Sequence, residues 1–177
     1  MFVLAYAFLT TYQAYYLLEK VGSAEDDVPR QIFLGTVVMS SVVVIASLAG
    51  GWLSDLTGRR KVFVCAASLI FGVSMFLIAV ASSFNGFVVG MAIAGLGFGL
   101  YMSVDLALVA DVLPDPGNAA KDLGVMNIAG ALPSSVAPAL APAILAVSSG
   151  SYGALYAVAG TCAVLGGFAI VRVHRVR

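Results

Sequence analysis

The sequence predicts an all-α membrane protein with six transmembrane helices. Three observations lead there. Hydrophobic residues make up 61% of the 177 residues and charged residues only 10%, whereas a soluble domain carries about 25% charged residues to cover its surface. The apolar residues gather into runs close to the ~20 residues needed to cross a hydrocarbon core. Between the runs lie short polar breaks, in which Lys and Arg are alternately abundant and scarce.

The runs cover residues 2–18, 32–53, 62–82, 86–112, 123–147 and 152–171. The first is the shortest. At 1.5 Å per residue it spans about 26 Å, marginal for a core of about 30 Å. It has no basic stretch before it, since Met1 leads directly into Phe2, Val3 and Leu4, and it ends at Leu17, Leu18, Glu19 and Lys20 with no small-residue cleavage site. It therefore reads as a span and not a removable leader. The short breaks predict that neighbouring helices pack as antiparallel hairpins. In the fourth run, Gly95, Gly97 and Gly99 predict a close-packing face. In the fifth, Pro133, Pro138 and Pro142 predict a kinked helix.

Basic residues set the orientation. Arg59, Arg60, Lys61, Lys121, Arg172, Arg175 and Arg177 all fall on one side of a six-span arrangement. The other side holds Lys20 and Arg30 beside Glu19, Glu25, Asp26 and Asp27. The basic side is expected to be cytoplasmic, with both termini on it, in a multi-pass protein of the plasma membrane. A formal net charge of zero leaves no field for nucleic acid. Cys65 and Cys162 lie inside apolar runs and read as packing residues; neither metal nor cofactor is expected. The loops hold no Cys–His, Ser–His or carboxylate–His constellation, and the single histidine, His174, sits in the basic tail. An enzyme is therefore not expected.

The second break reads Gly51-Trp52-Leu53-Ser54-Asp55-Leu56-Thr57-Gly58-Arg59-Arg60-Lys61. It resembles the signature loop of the major facilitator superfamily, Gly-x-x-x-Asp-Arg-x-Gly-Arg-Arg-Lys. In that family the loop joins the second and third helices of a six-helix half on the cytoplasmic side, which is where the charge pattern places this one. Leu56 stands where the family has a basic residue, which affects the loop's first charge pair. Gly51 is expected to let two helices approach closely, and Gly58 to permit the tight turn. Asp55 is expected to cap a helix N-terminus or pair with Arg59 or Arg60. The resemblance implies half of a twelve-helix fold, with Gly51, Asp55, Gly58, Arg59 and Arg60 as a conformational latch. The plainer reading of Arg60 and Lys61 is as positive-inside anchors. The segments 95–111 and 119–145 also resemble sugar-type cation symporters of the superfamily.

Ionisable and polar residues inside spans are the other candidates, because a charge at a helix centre costs about 2.5–3.5 kcal/mol on insertion scales. Gly97, Tyr101 and Asp105 share a helical face, a candidate lining for a polar cavity. Asp105 is either a proton or cation coupling site or an interfacial carboxylate tied to Lys121 or a backbone N–H. Tyr12, Tyr15 and Tyr16 form an aromatic belt, or Tyr12, Gln13 and Tyr16 line a cavity; in the family the corresponding helix lines the central path. Asn127 is interhelical glue or a ligand.

The resemblance implies a secondary active transporter working by alternating access on a small solute, with a sugar coupled to H+ or Na+ as the first choice and drug or metabolite efflux as the alternative. Its partners would be the lipid bilayer, the solute, and a missing N-terminal six-helix half or a second copy. The rival reading is a complete small six-span protein acting as a homodimer or scaffold.

Overall fold

The computed structural model describes residues 1–58, 60–112 and 119–171, with side chains described except at 105–112, 119–123, 125, 126, 129, 170 and 171. It contains six long helices: α1 (Phe2–Tyr16), α2 (Val28–Thr57), α3 (Arg60–Val80), α4 (Phe84–Val112), α5 (Ala119–Val147) and α6 (Tyr152–Val171). Among the described residues, five segments are long and apolar enough to cross a membrane: Glu25–Thr57, Arg60–Val80, Phe84–Val104, Gly130–Val147 and Tyr152–Ala169. The first run falls short of that length. Its 15 α-helical residues span about 22 Å, and a π-helical turn, Leu17–Val21, then carries the chain to Gly22 at φ +73°.

The helix ends follow local chemistry. Ser83 and Ser151 stand immediately before α4 and α6, and their hydroxyls accept the amide N–H of Gly86 and Ala154 at 3.3 and 3.4 Å, as N-caps do. Pro29 sits in the first turn of α2, where its missing N–H costs nothing. Glu25, Asp26 and Asp27 precede that turn and complement the positive end of the helix dipole. Gly58 ends α2 at φ +62°, with its N–H donating to the Ser54 carbonyl at 2.9 Å. A Cβ there would meet nothing within 4 Å, so any penalty for substitution lies in the backbone alone. Gly58→Val is expected to destabilise the chain by about 1–2 kcal/mol and Gly58→Asn by much less, as a thermal melt in detergent would show.

The packing is not a row of hairpins. The extensive interfaces are α2 with α4, α3 with α4, α3 with α6 and α1 with α6, whereas α1–α2 and α2–α3 scarcely touch. Of the consecutive pairs, α3 and α4 alone pack extensively among the described residues. A short loop fixes where two helix ends lie, but in lipid the contact goes to faces that allow close van der Waals approach. Here glycine supplies those faces. Gly35, Gly50, Gly95 and Gly99 join α2 to α4; Gly90 and Gly97 join α4 to α3; Gly72, Gly153, Gly160 and Gly167 join α3 to α6. The three glycines of α4 therefore form two faces and not one. Gly95 and Gly99 lie against α2, and Gly97 lies against Ala67 and Phe71 of α3, because two residues turn a helix by about 200°.

These contacts also fix directions. Gly35 lies against Phe87, and Gly50 against Leu100 and Ser103, so α2 and α4 run parallel. Gly97 meets Phe71 while Gly90 meets Ile78, so α3 and α4 are antiparallel; so are α3 and α6, through Gly72 with Gly160 and Ala79 with Gly153. Gly166 lies against Met1, and the Tyr156 hydroxyl reaches the Leu9 carbonyl at 3.4 Å, so α1 opposes α6. Direction thus alternates from α1 to α4, as repeated crossing requires. Large apolar side chains such as Ile45, Leu48, Trp52, Val80 and Leu165 remain exposed, a surface suited to lipid and not to water.

Candidate functional site

The described cavity lies between α1, α2 and α4 and has a volume of about 240 Å3. Three helical faces build it. α1 contributes Tyr6, Thr10 and Gln13 at i, i+4 and i+7; α2 contributes Thr36, Met39, Ser40, Val43 and Val44; α4 contributes Met91 and Phe98. The Tyr6 and Phe98 rings stack with centroids 4.3 Å apart, so one wall is aromatic. Among the described residues that line it, none is charged.

Polar atoms here are in distinct states. The Thr10 hydroxyl is within 3.2 Å of the Tyr6 carbonyl and 3.3 Å of the Ala7 carbonyl, so its proton is taken by its own helix and its oxygen is left as an acceptor. The Gln13 Oε1 is buried with no hydrogen-bond partner. Leaving a buried acceptor unsatisfied costs about 1–3 kcal/mol, and such a group calls for an explanation.

Of the residues singled out from sequence, Gln13 lines this cavity. Tyr16 does not: it is fully buried in the bundle, and its hydroxyl donates to the carbonyls at the end of α3, Ile78 at 2.5 Å and Ala81 at 2.7 Å. Its ring meets Tyr156 edge-on at 5.0 Å and Phe87 at 5.8 Å. It is an anchor between helices, set about 60° around α1 from Gln13. Tyr12 is half-buried in a cluster with Phe8, Tyr15 and Tyr152, with centroids 6.3 to 6.4 Å away. Tyr101 is half-buried and stacks on Phe2 at 4.1 Å, on the side of α4 that meets α1. Asn127 is exposed on α5, with Ser134 and Ser135 also exposed on that helix. Asp105 belongs to α4 by its backbone, and its side chain lies outside the described residues, as do Arg59 and His174.

In the signature segment, the close approach falls one residue earlier than expected. A Cβ on Gly50 would stand 2.7 Å from Leu100 Cδ2, whereas one on Gly51 would have an ordinary 3.9 Å contact with Ser103. Gly51 is turned about 100° away from the α4 interface. Gly58 makes the left-handed turn. Asp55 is exposed in the last turn of α2, where the helix dipole opposes a negative charge; Arg60 and Lys61 open α3 within a few residues of it and each has a polar or electrostatic partner.

Thr36 and Ser40 were not singled out from sequence. Their run holds four hydroxyl residues, Thr36, Ser40, Ser41 and Ser47, and the i, i+4 spacing of the first two was the signal. The α4 lining, Met91 and Phe98, carries no such mark, because an apolar residue in a span looks the same facing lipid, core or cavity.

The chain has relatives of two transport types. It is 33% identical over 88 residues to the probable polyol transporter 4 of Arabidopsis thaliana, a match covering 50% of this chain and 16% of that protein. It is 29% identical over 97 residues to the arabinose-proton symporter of Bacillus subtilis, covering 53% of the chain and 21% of the symporter. It is 34% identical over 84 residues to the quinolone resistance protein NorA of Staphylococcus aureus, covering 48% and 21% respectively. The matches thus span about a fifth or less of these relatives' length. The profile of the Major Facilitator Superfamily matches residues 1–177. With six long helices among the described residues, five of them in segments long and apolar enough to span a membrane, and that match over its whole length, the chain belongs to the major facilitator superfamily, whose members are transporters and not enzymes.

Proposed function

We propose that this chain forms one wall of a secondary active transporter of a small solute, and that the α1–α2–α4 cavity is its part of the solute site. The observation that carries this reading is a cavity of about 240 Å3, between α1 and the apolar, membrane-length helices α2 and α4, that is lined in part by the polar residues Gln13, Thr36 and Ser40. Lipid gives such side chains nothing to bond to, whereas a solute passing through the membrane would use them. Thr36 and Ser40 are exposed on α2, which supports the same reading.

Alternating access then requires an opposing wall, from an N-terminal six-helix half or a second copy of this chain. Asp55, Gly58 and Arg59 to Lys61 would form the cytoplasmic latch, with both termini on that side of the plasma membrane. Asp105 is the residue we assign to proton or cation coupling, on the precedent of the arabinose-proton symporter relative.

Substituted cysteines test whether the cavity is wet. In a chain carrying Cys65→Ala and Cys162→Ala, Thr36→Cys and Ser40→Cys should react with a charged, membrane-impermeant thiol reagent. Val73→Cys, on the exposed apolar side of α3, should react more slowly by about tenfold or more, because a charge within the bilayer costs about 2.5–3.5 kcal/mol. Equal rates at the three positions would remove the solute site from this face.

A further inference from the structure

We propose that the aromatic cluster where the end of α1 meets the start of α6 is a second binding site, for a quaternary ammonium group. Tyr12, Tyr15, Tyr152 and Glu19 form it. The proposal does not depend on the reading of the α1–α2–α4 cavity, because the cluster occupies another face of α1. Tyr12 and Tyr15 are turned about 100° and 160° around that helix from Gln13.

Three rings converge here. Those of Tyr15 and Tyr152 are parallel to within 4°, with centroids 6.0 Å apart. The Tyr12 ring is 6.3 Å from the first and 6.4 Å from the second, and the buried Phe8 ring backs it at 6.4 Å. The three centroids make a nearly equilateral triangle. One cation set over its middle therefore lies within the ~6 Å reach of all three rings. The site is open to a ligand: Tyr15 is 52% exposed, Glu19 is exposed, and Tyr12 and Tyr152 are half-buried.

The charge has the matching sign. The Glu19 carboxylate is close enough to the Tyr152 hydroxyl to act on it electrostatically, as are the Tyr12 and Tyr15 hydroxyls. The cluster sits at the negative end of α1 and the positive end of α6, so the two dipoles oppose each other and Glu19 decides the sign. Around it, the segment from Glu19 to Arg30 carries four carboxylates against two basic side chains, a field that attracts cations. An aromatic belt needs rings at this level of the bilayer, but it needs neither their convergence nor a carboxylate beside them. A trimethylammonium group is round and meets three rings at once, whereas a sugar stacks flat on one. A lipid headgroup and a soluble choline-like cation share this chemistry.

Choline and 3,3-dimethyl-1-butanol have nearly the same shape, with the charged nitrogen replaced by carbon in the second. Their binding can be read by saturation-transfer NMR titration of the chain in phosphatidylglycerol nanodiscs, whose lipid has no ammonium group, with empty nanodiscs as the blank. Choline should bind saturably and about fivefold or more tightly than the alcohol. Tyr15→Leu should weaken choline about threefold or more, and Tyr15→Phe should hold within about twofold of the parent chain, because the ring and not the hydroxyl faces the cation. Glu19→Gln should weaken choline about twofold or more, the scale of an exposed charge pair. Glu19 is exposed, so this variant carries the test if Tyr15→Leu fails to fold. Thr36→Trp, on the cavity side, should leave choline bound.

Equal binding of the two probes, no saturable choline binding, or choline binding unchanged in Glu19→Gln would overturn the proposal. So would displacement of choline by methyl glucoside, which would make the rings a sugar platform. Loss of choline binding in Thr36→Trp would place the probe in the α1–α2–α4 cavity and overturn it as well. Repeating the titration in phosphatidylcholine nanodiscs separates the two sources: weaker choline binding identifies the lipid headgroup as the occupant, and unchanged binding identifies a soluble cation.

Discussion

Replacing Gly95 with leucine is expected to separate α2 from α4 and to destabilise the chain by about 3 kcal/mol or more, at or beyond the upper end of ordinary overpacking. The reason lies in what the new side chain would meet. A Cβ at Gly95 falls 2.5 Å from the Met39 carbonyl oxygen and 3.2 Å from Val42 Cβ. The nearer atom is backbone, so no rotamer change relieves the clash, and the helix axes themselves must move apart. Gly99 repeats the situation one turn on, 2.6 Å from the Val43 carbonyl. Gly130, on α5, meets nothing within 4 Å, so Gly130→Leu should be tolerated and supplies the control. Thermal melting in detergent would check both. The α2–α4 interface also holds one edge of the cavity, since Met39 and Val43 line it. A variant melting within a few degrees of the parent chain would mean that glycine contact does not hold this pair.

Tyr16→Ala is the second large effect, expected at about 3–5 kcal/mol, the range for deleting a buried aromatic side chain. Tyr16 is fully buried and joins three elements: its own helix α1, the end of α3 through the Ile78 and Ala81 carbonyls, and α6 through Tyr156. Tyr16→Phe keeps the ring and loses the hydroxyl. It should cost about 1–3 kcal/mol, because the Ala81 carbonyl then loses its side-chain donor. The difference between the two variants separates packing from hydrogen bonding. Gln13 lies less than one turn before Tyr16, so displacement of this anchor should also weaken solute binding. Unchanged melting in Tyr16→Ala would show that the ring is not an anchor.

The sequence by itself determined the class of protein. Its low charge, its apolar runs and their spacing make an α-helical membrane chain the form that satisfies every backbone group in lipid. The signature segment around Asp55 and Gly58 pointed to the superfamily that the profile match then established. Gly58 was legible because a two-residue connection leaves few backbone conformations, and glycine is the residue that adopts them without strain. Gln13 was legible because an amide in an apolar run needs a partner or water.

Only the tertiary structure decided which faces meet. Helical periodicity gives the angle between two residues of one helix and says nothing about which neighbour lies at that angle. So Tyr16, close in sequence to Gln13, proved to be an anchor while Gln13 lines the cavity. Gly50 proved to be the tight contact in place of Gly51. The helices pair out of sequence order because close approach between glycine faces, and not loop length, selects the partner in lipid. The cavity inherits that choice. Thr10 and Gln13 of α1, Ser40 of α2 and Phe98 of α4 come from distant parts of the chain, and the parallel pairing of α2 with α4 completes the wall on which they face one another.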